Sequence, residues 1–263
     1  MIKNLIKNIT PPIILKLIKG RPRYGFFGNY KAWHEARADS GGYDDEKILE
    51  KVKDSLLKVK NGQAAYERDS VLFDKIQYSW PVLSALLWIA SQNNNELILI
   101  DFGGSLGSSY FQNMGFLKHL KKLKWNIVEQ KNFVECGRKF FEDEHLKFFG
   151  DIEDCLKENN INVFLASSSF QYLEDPYAFM KKIVDLDFKY IVIDRTPYFK
   201  EEDLITVQKV NPKIYDASYP AWIINESKFI KILEPKYDLI ADWQSSFEKI
   251  ALRGFILRNK KNE

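Results

Sequence analysis

The stretch that decides the fold is "ELILIDFGGSLGSSYFQNM", Glu96 to Met114. An apolar, β-favouring run strikes an acid, Asp101, and is followed by Gly103, Gly104 and Gly107 and then by small hydroxyl residues. A tight turn needs one glycine. Three within five positions suggest main chain left bare for something to lie against it. The dinucleotide pattern G-x-G-x-x-G is absent, and acid-x-Gly-x-x-x-Gly stands in its place. A pyrophosphate wants the positive helix N-terminus bare. A ligand with its own positive charge prefers an acid nearby, and Asp101 sits at the mouth of the turn.

Outward from this turn the pattern alternates. "LILID" precedes "YFQNMGFLKHLKKL", "WNIVEQ" precedes "NFVECGRKFFE", and "VFLASSSFQYL" precedes "PYAFMKKIVDL"; "YIVIDRTPY" follows, and "LKFFGD" adds a short strand. Such alternation predicts a mostly parallel sheet with helices on both faces. At the end, "YDLIADWQS" and "FEKIALRGFILR" leave no room for a crossover helix, which predicts an antiparallel β-hairpin. From about Asp44 to Ala90 the apolar spacing is helical: Ile48, Val52, Leu56 and Leu57 recur at three and four, and "WPVLSALLWIA" reads as a buried helix opened by Pro81. The division expected is an N-terminal arm and helical cap over 1–93 and an α/β core over 94–263. An aromatic lid is expected at about 198–226.

Composition narrows the function classes. Of 263 residues, 45% are hydrophobic and 29% charged, the balance of an ordinary globular protein, and the aromatic share of 14% is generous. With 39 basic and 36 acidic side chains the formal charge is +3, too even for nucleic-acid binding. Cys136 and Cys155 follow no metal or disulfide spacing, so reduced thiols in the cytoplasm and no metal are expected. No apolar run approaches the ~20 residues of a membrane span. The start, "MIKNLIKNITPPIILKLIKG", lacks a small-residue cleavage site. It reads either as an arm docked on the body or as a basic foot on an anionic membrane surface.

Two more acids stand at strand tips. Glu129, followed by Gln130, ends "WNIVEQ" and is placed to accept both ribose hydroxyls of a nucleoside. Asp151 in "FFGDIED" ends the next strand, where it can accept from an adenine amino group. Helix capping explains any one of them as readily. The ordered set of three is the more telling observation.

The order of motifs, "IDFGGSLGSSY", "VEQ", "FFGDI", "LASSSFQYLEDP" and the terminal hairpin, resembles class I S-adenosylmethionine-dependent methyltransferases. More narrowly, "DFGGSLGSSYFQN", "SSFQYLEDP", "IDRTP" and "YDASYPAWI", with "YKAWHEARADSGGYD" upstream, resemble a methyltransferase family associated with bacterial surface-polysaccharide genes. One activity the resemblance admits is methylation of the O-methyl phosphoramidate decoration of capsular polysaccharide. It implies a Rossmann-like, seven-stranded sheet and S-adenosyl-L-methionine as cofactor. Asp101, Gly103, Gly104, Ser105 and Gly107 would hold its methionine end, Glu129 and Gln130 the ribose, and Asp151 and Ile152 the adenine. Ser167, Ser168 and Gln171 would border the reactive methyl. Position 105 is Ser where many members have Gly.

Methyl transfer needs donor and acceptor held in line and water excluded. A sugar hydroxyl would also want a base; a phosphate-type oxygen would want cations. Asp194 can orient or deprotonate a hydroxyl and Arg195 can hold an anion with two N–H bonds, unless the two simply pair. His34 is the histidine candidate for base or acceptor ligand. Tyr172, Tyr215, Tyr219 and Trp222 offer an aromatic wall for a small-molecule or glycan acceptor, or plain packing. The basic arm would touch the inner membrane or glycan-assembly enzymes. Two other classes stay open. Tyr177 and Lys181 have the spacing of a nicotinamide-dependent oxidoreductase, one strand too early in the chain, and a non-catalytic binding subunit would keep the fold alone.

Overall fold

Apolar residues that alternate along the strands of the sheet reach two separate helical layers, and this builds the molecule. The structure is a computed structural model that describes residues 24–41, 45–212, 214, 216–244 and 250–262. The basic arm at 1–20 and Tyr215 lie outside the described residues. In chain order the elements begin with β1 (Gly25–Tyr30), α1 (Trp33–Ala38), α2 (Asp45–Lys60), β2 (Tyr66–Arg68), β3 (Val71–Phe73) and α3 (Trp80–Ser91). The core follows as β4 (Glu96–Phe102), α4 (Ser108–Leu117), β5 (Lys122–Val128), α5 (Lys131–Phe140), β6 (Leu146–Phe149), α6 (Ile152–Glu158), β7 (Val163–Ser167), α7 (Pro176–Asp185) and β8 (Tyr190–Phe199). The chain then runs through β9 (Leu204–Lys209), β10 (Ser218–Asn225), α8 (Glu226–Leu233), β11 (Tyr237–Gln244) and β12 (Ala251–Asn259).

The central sheet runs β6-β5-β4-β7-β8-β12-β11. β6, β5, β4, β7 and β8 are parallel. β12 enters antiparallel between β8 and β11, so the predicted terminal hairpin is present. The fold is mixed α/β and Rossmann-like, as the resemblance implies. Leu97 and Leu99 of β4 pack into one layer with α2, α3, α4 and α5, while Ile98 and Ile100 pack into the other with α6, α7 and α8. This is the period-2 alternation of a strand covered on both faces. Among the described residues no helix is long and apolar enough to cross a membrane.

Two features depart from the pattern read along the chain. The helical spacing over Asp44 to Ala90 is interrupted by the hairpin β2–β3, whose turn residues Asp69 and Ser70 both have positive φ, 51° and 63°. That backbone is the one hairpins favour, but the usual Asn-Gly or Asp-Gly signal is missing, so nothing local announced it. The expected lid is itself a sheet. β10 pairs antiparallel with β9, and β9 with β1. β10 then joins the outer half of β8 through Ile224–Tyr198 and Asn225–Phe199, on the edge that β7 vacates after Asp194. The ten-stranded whole thus carries a three-stranded extension, the flap β1-β9-β10, joined to the outer half of β8.

Candidate functional site

Crossovers from β4 lead to β5 on one side and, by way of β6, to β7 on the other. The strand order therefore reverses between β4 and β7, which is where open α/β sheets bind ligands.

Asp101 lies beneath the glycine turn with only 2% of its surface exposed. Its Oδ2 accepts from Trp125 Nε1 at 2.9 Å. A side chain on Gly104 would put its Cβ 2.6 Å from the Asp101 carboxyl carbon, and one on Gly103 would meet Ser169 Cβ at 2.9 Å. These two glycines are therefore required by groups of the protein itself. Burial pushes the Asp101 carboxyl up to about 7; the Trp125 bond opposes this, the Glu129 charge adds to it, and the Arg195 charge opposes it.

Glu129 ties the turn to β5, accepting from Ser105 N at 3.2 Å and from Gln130 N at 2.8 Å. Asp151 accepts from Asp154 N at 2.7 Å, the N-cap of α6, with Ile152 buried behind it. At the β7 tip, Ser167 Oγ donates to Asp194 Oδ2 at 2.9 Å, and Gln171 Nε2 donates to Ser168 Oγ at 2.9 Å. Gln171 is 2% exposed, and its Oε1 and Ser169 Oγ are buried without a partner. Asp194 Oδ1 also accepts from Trp243 Nε1 at 3.0 Å, and Arg195 Nε lies 3.5 Å from Oδ2. Gly254 makes the Trp243 bond possible, since a Cβ there would fall within the indole.

On the flap side, Tyr172 donates to Gln208 Oε1 at 2.9 Å and packs edge-to-face on Tyr219. Trp222 donates to Glu174 O at 3.3 Å and stacks on Trp33 of α1, with ring centroids 6.2 Å apart. His34 is exposed on α1 and shares no hydrogen bond with the strand-tip groups among the described residues. Direct hydrogen bonds thus join the turn to Glu129, Ser167 to Asp194 and Gln171 to Ser168, and Arg195 forms an ion pair with Asp194. Trp222 and His34 lie out on the flap. Tyr177 donates to Asp203, which fixes it in a structural role.

Several residues at the site carried no signal in the sequence. Glu67 of β2, 2% exposed, accepts from Ser108 Oγ at the start of α4 and from Ser70 N at 3.0 Å. Burial raises the phenol of its neighbour Tyr66, and the Arg68 and Arg195 charges act against that. Trp125 and Trp243 each donate to a site carboxylate, Asp101 and Asp194 respectively.

By sequence, no protein-family model and no curated protein matches the chain. By structure, it is similar to the N-terminal domain of EvdMO1 solved in the presence of SAH and D-fucose, with a TM-score of 0.50 and 11% identity over 83% of this chain and 98% of that one. Magnesium protoporphyrin IX methyltransferase (ChlM) from Synechocystis PCC 6803 with bound SAM gives 0.46 and 12% over 84% and 99%. LepI in complex with SAM gives 0.45 and 9% over 68% of this chain and 46% of LepI. What the likeness to the EvdMO1 domain establishes is the fold: a Rossmann-like α/β sheet with an antiparallel hairpin at its end.

Proposed function

We propose that the chain is an S-adenosylmethionine-dependent methyltransferase that O-methylates a sugar or phosphate-type group in capsular or surface-polysaccharide biosynthesis. The observation that carries this reading is Asp101, a carboxyl pushed up to about 7 by burial under the glycine turn, whose other side is tied to Glu129. A cation placed over that turn would restore the ionised carboxylate. The donor is such a cation, with a sulfonium and an ammonium group. The orphaned Ser169 Oγ and Gln171 Oε1 are further polar groups suited to a polar ligand at the crevice.

When bound, the donor supplies a methyl group activated by positive sulfur. The chain's own task is to orient and to exclude water. In this reading Asp101, Gly103 to Ser105 and Gly107 take the methionine end, Glu129 and Gln130 the ribose, and Asp151 and Ile152 the adenine. Ser167, Ser168 and Gln171 border the transfer point. The flap, with Tyr172, Tyr219 and Trp222, covers an acceptor and shields it from solvent. Asp194 is engaged by Ser167, Trp243 and Arg195, so its role is to hold Arg195 in place, and a base for a hydroxyl acceptor falls to His34 on flap closure. We place the reaction in the cytoplasm, with the basic arm at 1–20 as a peripheral contact to the inner membrane or to glycan-assembly enzymes.

Calorimetry with S-adenosylhomocysteine tests the donor. Glu129→Ala should weaken binding by about 100-fold, for two bonds to a charged group at roughly 1.5 kcal/mol each. Absence of binding to the native protein at millimolar ligand would instead favour a non-catalytic subunit. A product screen with labelled donor against nucleotide-activated sugars, capsule oligosaccharides and phosphoramidate-bearing nucleotides tests the acceptor.

A further inference from the structure

β7 ends in a tight bend. Ser168, with φ of 59°, turns the chain out of the strand, and its N–H donates to Asp194 O at 2.9 Å. A single 3₁₀ turn over Phe170–Tyr172 follows. Phe170 pins this turn to the core, edge-to-face on Phe164 and Phe229. At one end the bend meets the glycine turn: a Cβ on Gly103 would stand 2.9 Å from Ser169 Cβ. At the other it meets the flap, where Tyr172 donates to Gln208 Oε1 of β9 at 2.9 Å and packs on Tyr219 of β10, ring centroids 5.1 Å apart. Two polar atoms on this bridge have no partner. Ser169 is 9% exposed and Gln171 2%, and Ser169 Oγ and Gln171 Oε1 are buried without a hydrogen bond. Gln171 Nε2 is committed to Ser168 Oγ at 2.9 Å, so the unspent end of the amide is its oxygen, which only accepts. A buried acceptor left unpaired is costly. Two orphaned atoms two residues apart point to a ligand that supplies the missing hydrogen bonds.

We propose that Ser169 Oγ and Gln171 Oε1 form a hydroxyl-binding subsite, and that the methyl acceptor is therefore a sugar and not a phosphate-type group. This rests on the methyltransferase reading, which puts the donor at the glycine turn and the acceptor at the flap; the bend joins the two. One sugar hydroxyl donates to Gln171 Oε1, and Ser169 Oγ exchanges a hydrogen bond with a second. An ionised phosphate brings acceptors alone, and its oxygens would face the lone pairs of Gln171 Oε1. No cation is bonded to either orphaned atom, and Arg195 at the neighbouring strand tip is ion-paired with Asp194. The donor's own cationic end has Asp101 in the same reading. Buried groups built to pair with a hydroxyl discriminate sharply, because a ligand without the O–H leaves them unpaired.

Calorimetry on the native chain, Ser169→Ala, Gln171→Leu and Gln171→Glu tests this, with thermal unfolding of the ligand-free proteins beside it. The first probe is S-adenosylhomocysteine. On the complex it forms, the probes are phenyl phosphate and the methyl glycosides of glucose, galactose, mannose and N-acetylglucosamine. Ser169→Ala and Gln171→Leu should bind S-adenosylhomocysteine within about twofold of native. A glycoside should bind the native complex and weaken about tenfold in each of these two variants, for one buried hydrogen bond lost. Gln171→Glu keeps an acceptor oxygen and should hold the glycoside within about threefold. Neither Ser169→Ala nor Gln171→Leu should unfold below the native chain, since each removes an atom that the free protein leaves unpaired. The proposal is overturned if no glycoside binds the native complex, if the two variants leave it unweakened, or if either variant unfolds well below native. It is overturned too if S-adenosylhomocysteine weakens with them, which makes the partner the donor's ammonium, or if phenyl phosphate is the probe lost. Loss of the glycoside in Gln171→Glu as in Gln171→Leu overturns it by making the unspent group the amide N–H. Should the native chain bind no S-adenosylhomocysteine, the methyltransferase reading falls. The subsite then stands if a glycoside binds the native chain alone and is lost in Gln171→Leu, and falls otherwise.

Discussion

A carboxyl group under bare main chain is costly, and Asp101 has one indole N–H to offset the loss of water. Its pKa in the folded chain, about 7, lies above the ordinary value of 3.8. The folded state therefore holds this proton more tightly than the unfolded chain. The stability this adds is complete below about pH 4 and is lost as pH rises to about 7. Urea unfolding should show stability falling across that window, and Asp101→Asn, which keeps an acceptor for Trp125, should flatten the slope. Asp151 shows how different the same residue type can be two strands away, where it caps α6 in the open. Ser105, Ser168 and Arg195 have φ of 55°, 59° and 48°. Each such backbone costs about 1–2 kcal/mol; Ser105 and Ser168 follow β4 and β7, and Arg195 lies within β8 where its pairing with β7 ends.

The hairpin β2–β3 is the element that packs against both α2 and the start of α4, next to the glycine turn. It has three residues in each strand, too few to be stable alone. Glu67 anchors it, holding its own turn through Ser70 N and the first residue of α4 through Ser108 Oγ. Glu67→Ala should cost about 2–3 kcal/mol, since bonds to a carboxylate are lost and two donors are left without partners. Glu67→Gln keeps an acceptor and should cost less. Hydrogen exchange would locate the effect: faster exchange over residues 66–73 and at the start of α4, with β5 and β6 unchanged. Uniform acceleration across the sheet would mean that Glu67 supports the whole fold and not this element.

Across the whole molecule, the chain's first described strand and its late segment meet in the flap. β1 pairs with β9, and Trp33 stacks on Trp222 of β10. Removing that stack by Trp33→Ala should loosen the flap by about 0.5–1.5 kcal/mol beyond the lost area. Exchange at β1, β9 and β10 should rise while β4, β5 and β7 stay protected, because the flap is joined to the core sheet by two residue pairs of β10 and β8. Equal loss of protection in the core would show the flap and sheet to unfold as one unit.

The sequence by itself determined the layering. Two-sided apolar strands, amphipathic helices between them, the glycine turn after Asp101 and the closing hairpin are all local patterns, because period and turn chemistry are set by near neighbours. What the tertiary structure alone decided is which distant groups meet. Trp243 reaches Asp194 across 49 residues, Ser108 reaches Glu67 across 41, and Tyr172 reaches Gln208 across 36. The glycines show the boundary most clearly: their spacing marked a bend where side chains had to be absent, yet only packing revealed that Asp101 and Ser169 fill that room. Burial, and the pKa it sets, is a property of the assembled interior. No window along the chain contains it.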